Sequence, residues 1–206
     1  MSDPEQPQIY LVTPPAFELE TFLPRLSAVL DATDIACVRL ALVEEDEAAL
    51  SRAADALREV AHARDVPLVI TRHVGLVERL GLDGVHLTDG ARSVRKTRAA
   101  LGADAIVGAY CEASRHDGMT AGETGADYIA FGPVGDSGLG DGDRVERDLF
   151  AWWSQMIELP VVAEGALTVE MIESLAPVTD FFAIGAEIWR EDDAVATLSR
   201  LTAPLG

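Results

Sequence analysis

The chain has 206 residues, of which 49% are hydrophobic, and this is enough apolar material for one well-filled core. Its formal net charge of −19 would repel a polyphosphate backbone, so we expect no nucleic-acid partner. The amino-terminal residues lack a basic and apolar leader pattern, and no apolar run approaches the roughly 18 residues of a membrane span. We therefore expect residues 1–206 to form a single cytoplasmic domain with no membrane partner.

Eight short apolar runs, each bounded by turn residues, follow one another along the chain. They occupy residues 8–12, 35–40, 67–71, 84–87, 105–110, 127–131, 160–164 and 180–184. These runs are too apolar to face water on either side, which favours buried parallel strands. Helical spacing lies between them, most clearly at residues 46–64. This alternation predicts an α/β fold of the (βα)8 TIM barrel type, with a doubly wound open sheet as the alternative.

Two local features refine this organisation. The first helix has an apolar stripe but contains Pro24, so we expect it to begin near Thr21 or to bend at the proline. A glycine and then an aspartate precede three of the strands, in GLDGVHL (81–87), GADAIVG (102–108) and GADYIAF (125–131). The glycine is suited to end a helix in a left-handed conformation. We interpret this repeat as structural and not as catalytic.

The chemistry of such a barrel lies at the carboxyl ends of its strands. The loops after the seventh and eighth strands often bind phosphate, and Gly165, Ala166, Gly185 and Ala186 are small enough to let an anion reach the backbone there. Tight turns are an equally good explanation of these four small residues.

Three basic residues at strand ends are candidate anion receivers. They are Arg39, Arg72 and His73. Solvated loop residues are the alternative interpretation for Arg72 and His73. A glycine-rich loop at residues 132–142 contains five glycines, and a phosphate cradle, a cation loop and a mobile lid are all open to it.

The order of the motifs resembles the thiamine phosphate synthase family, which includes the related thiazole tautomerases. The motifs that carry the resemblance are IYLVT (9–13), GVHL (84–87), GADYIAFGPV (125–134), PVVAEGAL (160–167) and FFAIGAEIW (181–189). The resemblance implies a (βα)8 barrel and a transferase that joins a hydroxymethylpyrimidine diphosphate to a thiazole phosphate, with loss of diphosphate and help from Mg²⁺. A small phosphorylated molecule is therefore the expected partner, and a homodimer is one arrangement that the sequence leaves open.

The chain departs from the family pattern where the resemblance implies a diphosphate and a metal. The family has Gln-Leu-Arg-x-Lys after the second strand, whereas residues 39–43 here read Arg-Leu-Ala-Leu-Val. Thr71 and Arg72 replace an Asn-Asp pair, and the expected metal-binding Asp falls at Ala91. Asp89 is then the only nearby carboxylate for Mg²⁺. We expect the synthase chemistry to be impaired.

Other positions keep a possible function. Gly165 with Ala166 and Gly185 with Ala186 match the family's monophosphate position. Glu112 replaces the histidine that serves the tautomerase branch after the fifth strand, so a carboxylate base is conceivable there. His86, within GVHL, is either catalytic or a strand histidine hydrogen-bonded inside the barrel.

The residues after Gly-Pro-Val carry acid where the family carries Thr and Lys. Gly135, Asp136, Ser137 and Gly138 begin this stretch, and Asp141 and Asp143 follow. Cations or a metal would be needed to hold a diphosphate, so we interpret the loop as a mobile lid.

Three functions remain open at this point. The first is a divergent synthase-like protein that binds a small phosphorylated heterocycle. The second is a catalytically silent barrel that binds a phosphate ester or another protein. The third is a thiazole tautomerase-like isomerase that uses Glu112.

Overall fold

The computed structural model describes residues 6–44, 46–140 and 143–206. The strands are β1 Gln8–Val12, β2 Ile35–Leu40, β3 Leu68–Thr71, β4 Gly84–Leu87, β5 Ile106–Tyr110, β6 Tyr128–Phe131, β7 Val161–Glu164 and β8 Phe181–Ile184. The helices are α1 Leu19–Ala32, α2 Glu47–His62, α3 Val74–Leu80, α4 Val94–Leu101, α5 Arg115–Glu123, α6 Arg147–Met156, α7 Val169–Leu175, α8 Ala186–Trp189 and α9 Ala194–Leu201. Short 3₁₀ turns lie at Ala176–Val178 and Ala203–Leu205.

The strands form a closed barrel in chain order, and each pairs in parallel with its neighbours. The last strand, β8, pairs with β1 and so closes the ring. The prediction of a (βα)8 barrel is confirmed, and an open sheet is excluded. Pro67 and Pro160 stay outside β3 and β7 because a proline has no N–H to donate to the sheet.

Helix α1 begins at Leu19 and continues through Pro24 to Ala32. Of the two alternatives expected, a start near Thr21 is not found, because the helix begins two residues earlier and includes Pro24. Pro24 removes one backbone hydrogen bond, but Phe22 and Leu26 are buried on the same helix. Burial of an apolar face supplies most of a helix's stability in a folded protein, and it outweighs the missing bond here.

The aspartates that precede strands have a structural function, as the sequence repeat indicated. Asp83 and Asp127 of the repeat, and Asp180 before β8, each accept a backbone N–H from a residue near the start of the preceding strand, whereas Asp104 of the second repeat makes no such bond among the described residues. The pairs are Leu68 N to Asp83 Oδ2 at 2.7 Å, Val107 N to Asp127 Oδ2 at 2.7 Å and Val161 N to Asp180 Oδ2 at 2.8 Å. The aspartates thus fix the register between neighbouring βα units at the end of the barrel opposite the carboxyl ends of the strands.

The core has two layers, because successive strand residues point to opposite faces of the sheet. Residues such as Leu11, Val38 and Ile70 pack with the helices in the outer layer. The inner layer contains Tyr10, Cys37, Val69, Tyr110, Tyr128, Ala130, Val162 and Ala183. Gly108 makes room inside the barrel, since a Cβ there would lie 2.0 Å from the ring of Tyr128. Across the described ranges, no helix combines the length and apolar character that a membrane crossing needs.

Candidate functional site

A cavity of about 670 Å³ opens at the carboxyl end of the barrel. It lies between the ends of β1, β2, β7 and β8 and is bordered by the glycine-rich loop after β6. Its lining includes Thr13, Arg39, Ser137, Leu139, Glu164, Gly165, Ala166, Gly185, Ala186 and Glu187. The structure therefore brings together the small residues of the predicted phosphate position, Arg39 and Ser137 of the predicted lid.

An ion pair between Arg39 and Glu164 lies at the inner side of this cavity. Each residue is only 6% exposed. The Nη1 atom of Arg39 donates to Oε2 of Glu164 at 3.1 Å, and Nη2 donates to Oε1. Burial alone would lower the pKa of Arg39, but the charge of Glu164, the hydrogen bonds to it and the two nearby tyrosines together outweigh burial and raise the pKa. The guanidinium is thus already neutralised by the protein and cannot receive a ligand's phosphate without loosening this pair.

His86 continues this polar network into the barrel. Its Nε2 atom lies 2.8 Å from Nη1 of Arg39, and its Nδ1 atom lies 2.8 Å from the hydroxyl of Tyr128. A guanidinium can only donate, so Nε2 accepts and the proton sits on Nδ1, which donates to Tyr128. Burial, and then the charge of Arg39, lower the pKa of His86 well below its usual value. His86 is therefore the neutral strand histidine that the second interpretation described, and it does not line the cavity.

A hydroxyl pair ends the network below His86. The hydroxyls of Tyr128 and Tyr10 lie 2.6 Å apart, and either of them can donate. Burial raises the pKa of both tyrosines, so both remain protonated. The barrel interior thus holds a chain of polar groups from Glu164 at the cavity to Tyr10. The sequence left His86 as either a catalytic residue or a strand histidine inside the barrel, and it did not identify the tyrosine partners.

The predicted phosphate position contains strained backbone and an internal anion. Gly165 has φ of 99° and Ala166 has φ of 52°, so both take left-handed conformations. The carboxylate of Glu187 accepts the N–H of Gly185 at 2.8 Å and the N–H of Leu167 at 3.1 Å. Glycine at 185 is also required by packing, because a Cβ there would lie 2.8 Å from the carbonyl oxygen of Val12. Tight packing and backbone N–H groups that already donate to a carboxylate therefore coexist at this position.

Two cations on the cavity wall were not identified from the sequence. They are Arg25 of α1 and Arg190, which follows α8. Arg25 donates to the carbonyl oxygens of Trp189 at 3.2 Å and Glu191 at 2.6 Å. Arg25 was missed because it lies on a helix and not at a strand end, where sequence reasoning searched for anion receivers.

The glycine-rich loop is attached to β7 at its start. Val134 donates to the carbonyl oxygen of Glu164 at 3.0 Å, and Gly135 donates to that of Gly165 at 2.9 Å. Farther along, Asp136 accepts from Nε of Arg144 at 2.8 Å, and this neighbour lowers the pKa of Asp136. Only the part after Gly135 can therefore behave as a lid.

The acidic residues of this loop are not all unpaired, as the sequence interpretation assumed. Asp136 was expected to add repulsion, but its charge is paired with Arg144, a residue that the sequence analysis did not consider. Asp143 is exposed. Asp141 lies outside the described residues. Ser137 and Leu139 line the cavity.

Several sequence candidates lie away from this cavity. Arg72 and Asp89 line a second cavity of about 330 Å³, together with Lys96. His73 is exposed and immediately precedes α3. Glu112 is exposed after β5, with φ of 50°, and does not line the 670 Å³ cavity. The expected site residues therefore divide between two cavities of the barrel mouth, and His73 and Glu112 line neither of them.

Asp89 is the residue that sequence reasoning offered to a metal. Its Oδ2 atom accepts from Oγ of Ser93 at 2.6 Å, and its Oδ1 atom is buried with no hydrogen-bond partner among the described residues. Over the same residues, no group of three or more His, Cys, Asp or Glu side chains converges in a way that could hold a metal ion. One carboxylate does not make the oxygen-rich site that Mg²⁺ needs, so no step of the chemistry is assigned to a metal here.

The closed barrel of eight parallel strands defines the class of protein as a TIM barrel, and solved structures agree. Thiamine phosphate pyrophosphorylase from Pyrococcus furiosus superposes with a TM-score of 0.83 at 17% identity, covering 96% of this chain and 95% of that one. The 3-hexulose-6-phosphate synthase from Salmonella typhimurium gives a TM-score of 0.74 at 16% identity, covering 96% of this chain and 98% of the other. At these identities the similarity establishes the fold alone.

Sequence comparison establishes the family. The family model described as thiamine monophosphate synthase matches residues 9–188. The thiamine-phosphate synthase of Rhodospirillum centenum is 42% identical over 184 residues, covering 88% of this chain and 89% of that protein. The thiamine-phosphate synthase of Erythrobacter litoralis is 36% identical over 206 residues, covering 95% of each. The chain belongs to the thiamine phosphate synthase family.

Proposed function

We propose that this chain binds a small phosphorylated heterocycle of thiamine biosynthesis in the 670 Å³ cavity. The ligand's phosphate would lie against the loops after β7 and β8. The observation that carries the proposal is that Gly165, Ala166, Gly185 and Ala186 line one cavity at the carboxyl end of the barrel. Family membership supports the ligand class, because the curated relatives are named thiamine-phosphate synthases.

We further propose that synthase turnover is slow. Departure of a diphosphate needs cations placed where negative charge develops. Arg39 is engaged by Glu164, and positions 41 and 43 carry alanine and valine. Asp89 lies in the second cavity as one carboxylate, whereas a bound Mg²⁺ needs several oxygen ligands. These features support weak transferase chemistry in a barrel that still accepts the ligand.

A rate assay tests the chemistry. Purified protein is mixed with hydroxymethylpyrimidine diphosphate, thiazole phosphate and Mg²⁺, and thiamine phosphate is quantified. We expect a rate below about 0.1 s⁻¹, slow beside typical enzyme turnover. The double variant Ala41→Arg, Val43→Lys, which restores the two missing cations, is expected to be faster. A wild-type rate above that limit would show that the missing cations are not required.

A binding assay tests the ligand independently of turnover. Thiazole phosphate, the pyrimidine diphosphate and diphosphate are titrated separately, with and without Mg²⁺, while backbone amide shifts are followed. Thiazole phosphate is expected to move the amides of Gly165, Ala166, Gly185 and Ala186. Shifts confined to the region of Arg72 and Asp89 would place the ligand in the second cavity and contradict the proposal.

A catalytically silent phosphate-ester-binding barrel is the second candidate, and the buried Arg39–Glu164 pair is the observation that favours it. A silent barrel is distinguished from a slow synthase because it binds the ligand but forms no product from any pair of substrates. A tautomerase-like reaction would require Glu112. The variant Glu112→Gln would abolish isomerisation of a thiazole carboxylate if that reaction occurs, and would leave thiazole phosphate binding unchanged.

A further inference from the structure

One carboxylate holds two backbone donors that belong to different loops. Glu187 Oε2 accepts from N of Gly185, after β8, at 2.8 Å. Its Oε1 accepts from N of Leu167, in the loop after β7, at 3.1 Å. Glu187 is half-buried and lines the 670 Å³ cavity. The side chain therefore bridges the two loops from within the cavity.

These two loops are the usual phosphate position of a (βα)8 barrel. A phosphate there would use its oxygens as Glu187 uses its carboxylate, by accepting from backbone N–H groups of both loops. The same N–H groups cannot serve both anions at full strength, and two negative groups in one small space repel each other. A ligand phosphate that used these two N–H groups would therefore compete with the bound carboxylate.

The carboxylate is held by the backbone and not by a cation. Among the residues that the structure describes, the ion pairs do not include Glu187. Arg190 and Arg25 line the same cavity, and Arg25 is occupied by carbonyl oxygens. Release of Glu187 therefore breaks two hydrogen bonds and no salt bridge.

We propose that Glu187 determines ligand specificity by acting as an internal competitor for phosphate at the N–H groups of Gly185 and Leu167. The cavity accepts a phosphate monoester only when this carboxylate turns away, so ligands must contribute further contacts to bind. The inference deepens the proposed function and rests on it.

The test compares inorganic phosphate binding to wild type, Glu187→Ala, Glu187→Gln and Glu18→Ala. Glu18 is the matched control, since it lines the same cavity and is exposed, and its side chain caps no helix. Dissociation constants are measured at fixed ionic strength from the amide shifts of Gly185 and Leu167. We expect Glu187→Ala to bind phosphate at least roughly tenfold more tightly than wild type, which is a typical size for coupling between two ligands. Glu187→Gln should lie between that variant and wild type, and Glu18→Ala within about threefold of wild type.

Three outcomes would overturn the competition. They are unchanged phosphate affinity in both Glu187 variants, an equal gain in Glu18→Ala, and an absence of phosphate binding in every protein. Circular dichroism and thermal unfolding show whether each variant is folded. If Glu187→Ala does not fold, the phosphate affinity of Glu187→Gln alone tests the competition. The proposed function is tested separately by thiazole phosphate binding to wild type. Thiazole phosphate binding can be absent while the inorganic phosphate comparison supports the competition, and it can be present while that comparison contradicts the competition.

Discussion

Arg39 of β2 and Glu164 of β7 are joined by two guanidinium–carboxylate hydrogen bonds inside the barrel, although 125 residues separate them in the chain. Both side chains are less than a tenth exposed. Removing two such charges from water is costly, and the cost is offset only by their mutual attraction and by hydrogen bonds such as the one from Arg39 to His86. The pair is therefore sensitive to loss of either partner.

Glu164→Gln is expected to lower the free energy of unfolding by about 3 kcal/mol, because it leaves Arg39 charged and buried without a counterion. The double variant Arg39→Met, Glu164→Leu should recover most of this loss, since no buried charge then remains. Urea denaturation measures the free energy of unfolding of wild type, the two variants and a control. Glu47→Gln, which removes an exposed partner of Arg79, is the control and should cost less than about 1 kcal/mol. Equal costs for Glu164→Gln and Glu47→Gln would contradict the burial argument.

His86 predicts a pH dependence of stability. Its pKa is lowered in the folded protein, so below the unfolded value of about 6.5 the unfolded chain binds a proton that the folded chain does not. Stability from this group is complete above that value and is lost as pH falls below it. Below a pH of about 6.5, we expect the free energy of unfolding of wild type to fall by up to about 1.4 kcal/mol per pH unit more than that of His86→Gln.

The measurement is the difference in unfolding free energy between wild type and His86→Gln at several pH values from 7 to 5. Taking the difference cancels the carboxylates common to both proteins. His116→Gln is the matched control, because His116 is exposed on α5. A wild-type minus His86→Gln difference that does not change with pH would show that His86 is accessible to protons in the folded state.

The fold could be predicted because its signal is local. Eight buried strands appear as apolar runs, and the helices between them show their periodicity, so the closed barrel follows from alternation. The start of α1 was misplaced because the proline rule is local, whereas Phe22 and Leu26 stabilise the helix through tertiary packing. Sequence patterns report propensity, and packing decided this boundary.

The site was less predictable because its contacts are not local. The sequence marked Arg39 as a free anion receiver, and only closure of the barrel brings Glu164 against it. Glu187 follows β8 closely in the sequence, but its contact with Leu167 depends on the position of another loop. Arg72 and Asp89 were grouped with the other strand-end residues, yet they line a separate cavity. Position at the end of a strand predicts that a residue lies at the mouth of the barrel, but it does not predict which residues there contact one another.

Ala166→Gly is expected to stabilise the protein by about 1 kcal/mol. Ala166 has φ of 52°, a left-handed conformation that costs an alanine roughly 1–2 kcal/mol and costs glycine little. Thermal or urea unfolding measures the gain. Ala196→Gly, at an exposed position of α9, is the matched control and should lose about 1 kcal/mol because its helical φ gives glycine no advantage. The prediction is wrong if both substitutions destabilise the protein equally.

Two glycines of the loop after β6 are expected to respond oppositely to alanine. A Cβ at Gly135 would lie 2.3 Å from the carbonyl oxygen of Ala166, so Gly135→Ala forces the backbone of two loops apart and should cost about 2 kcal/mol or more. A Cβ at Gly138 meets nothing within 4 Å, and its φ is not left-handed. Gly138→Ala should therefore be neutral or stabilise by up to about 1 kcal/mol, through the lower entropy of the unfolded chain.

The same two variants test the loop as a lid. If residues after Gly135 order over a bound ligand, Gly138→Ala reduces the entropy lost on closure and should tighten thiazole phosphate binding. Gly135→Ala should weaken binding, because it displaces the loop start from β7 and with it Ser137 and Leu139 of the cavity wall. Calorimetric titration measures both affinities. Equal affinities in wild type and both variants would mean that the loop does not close over the ligand, even if the stability difference between the two glycines is found.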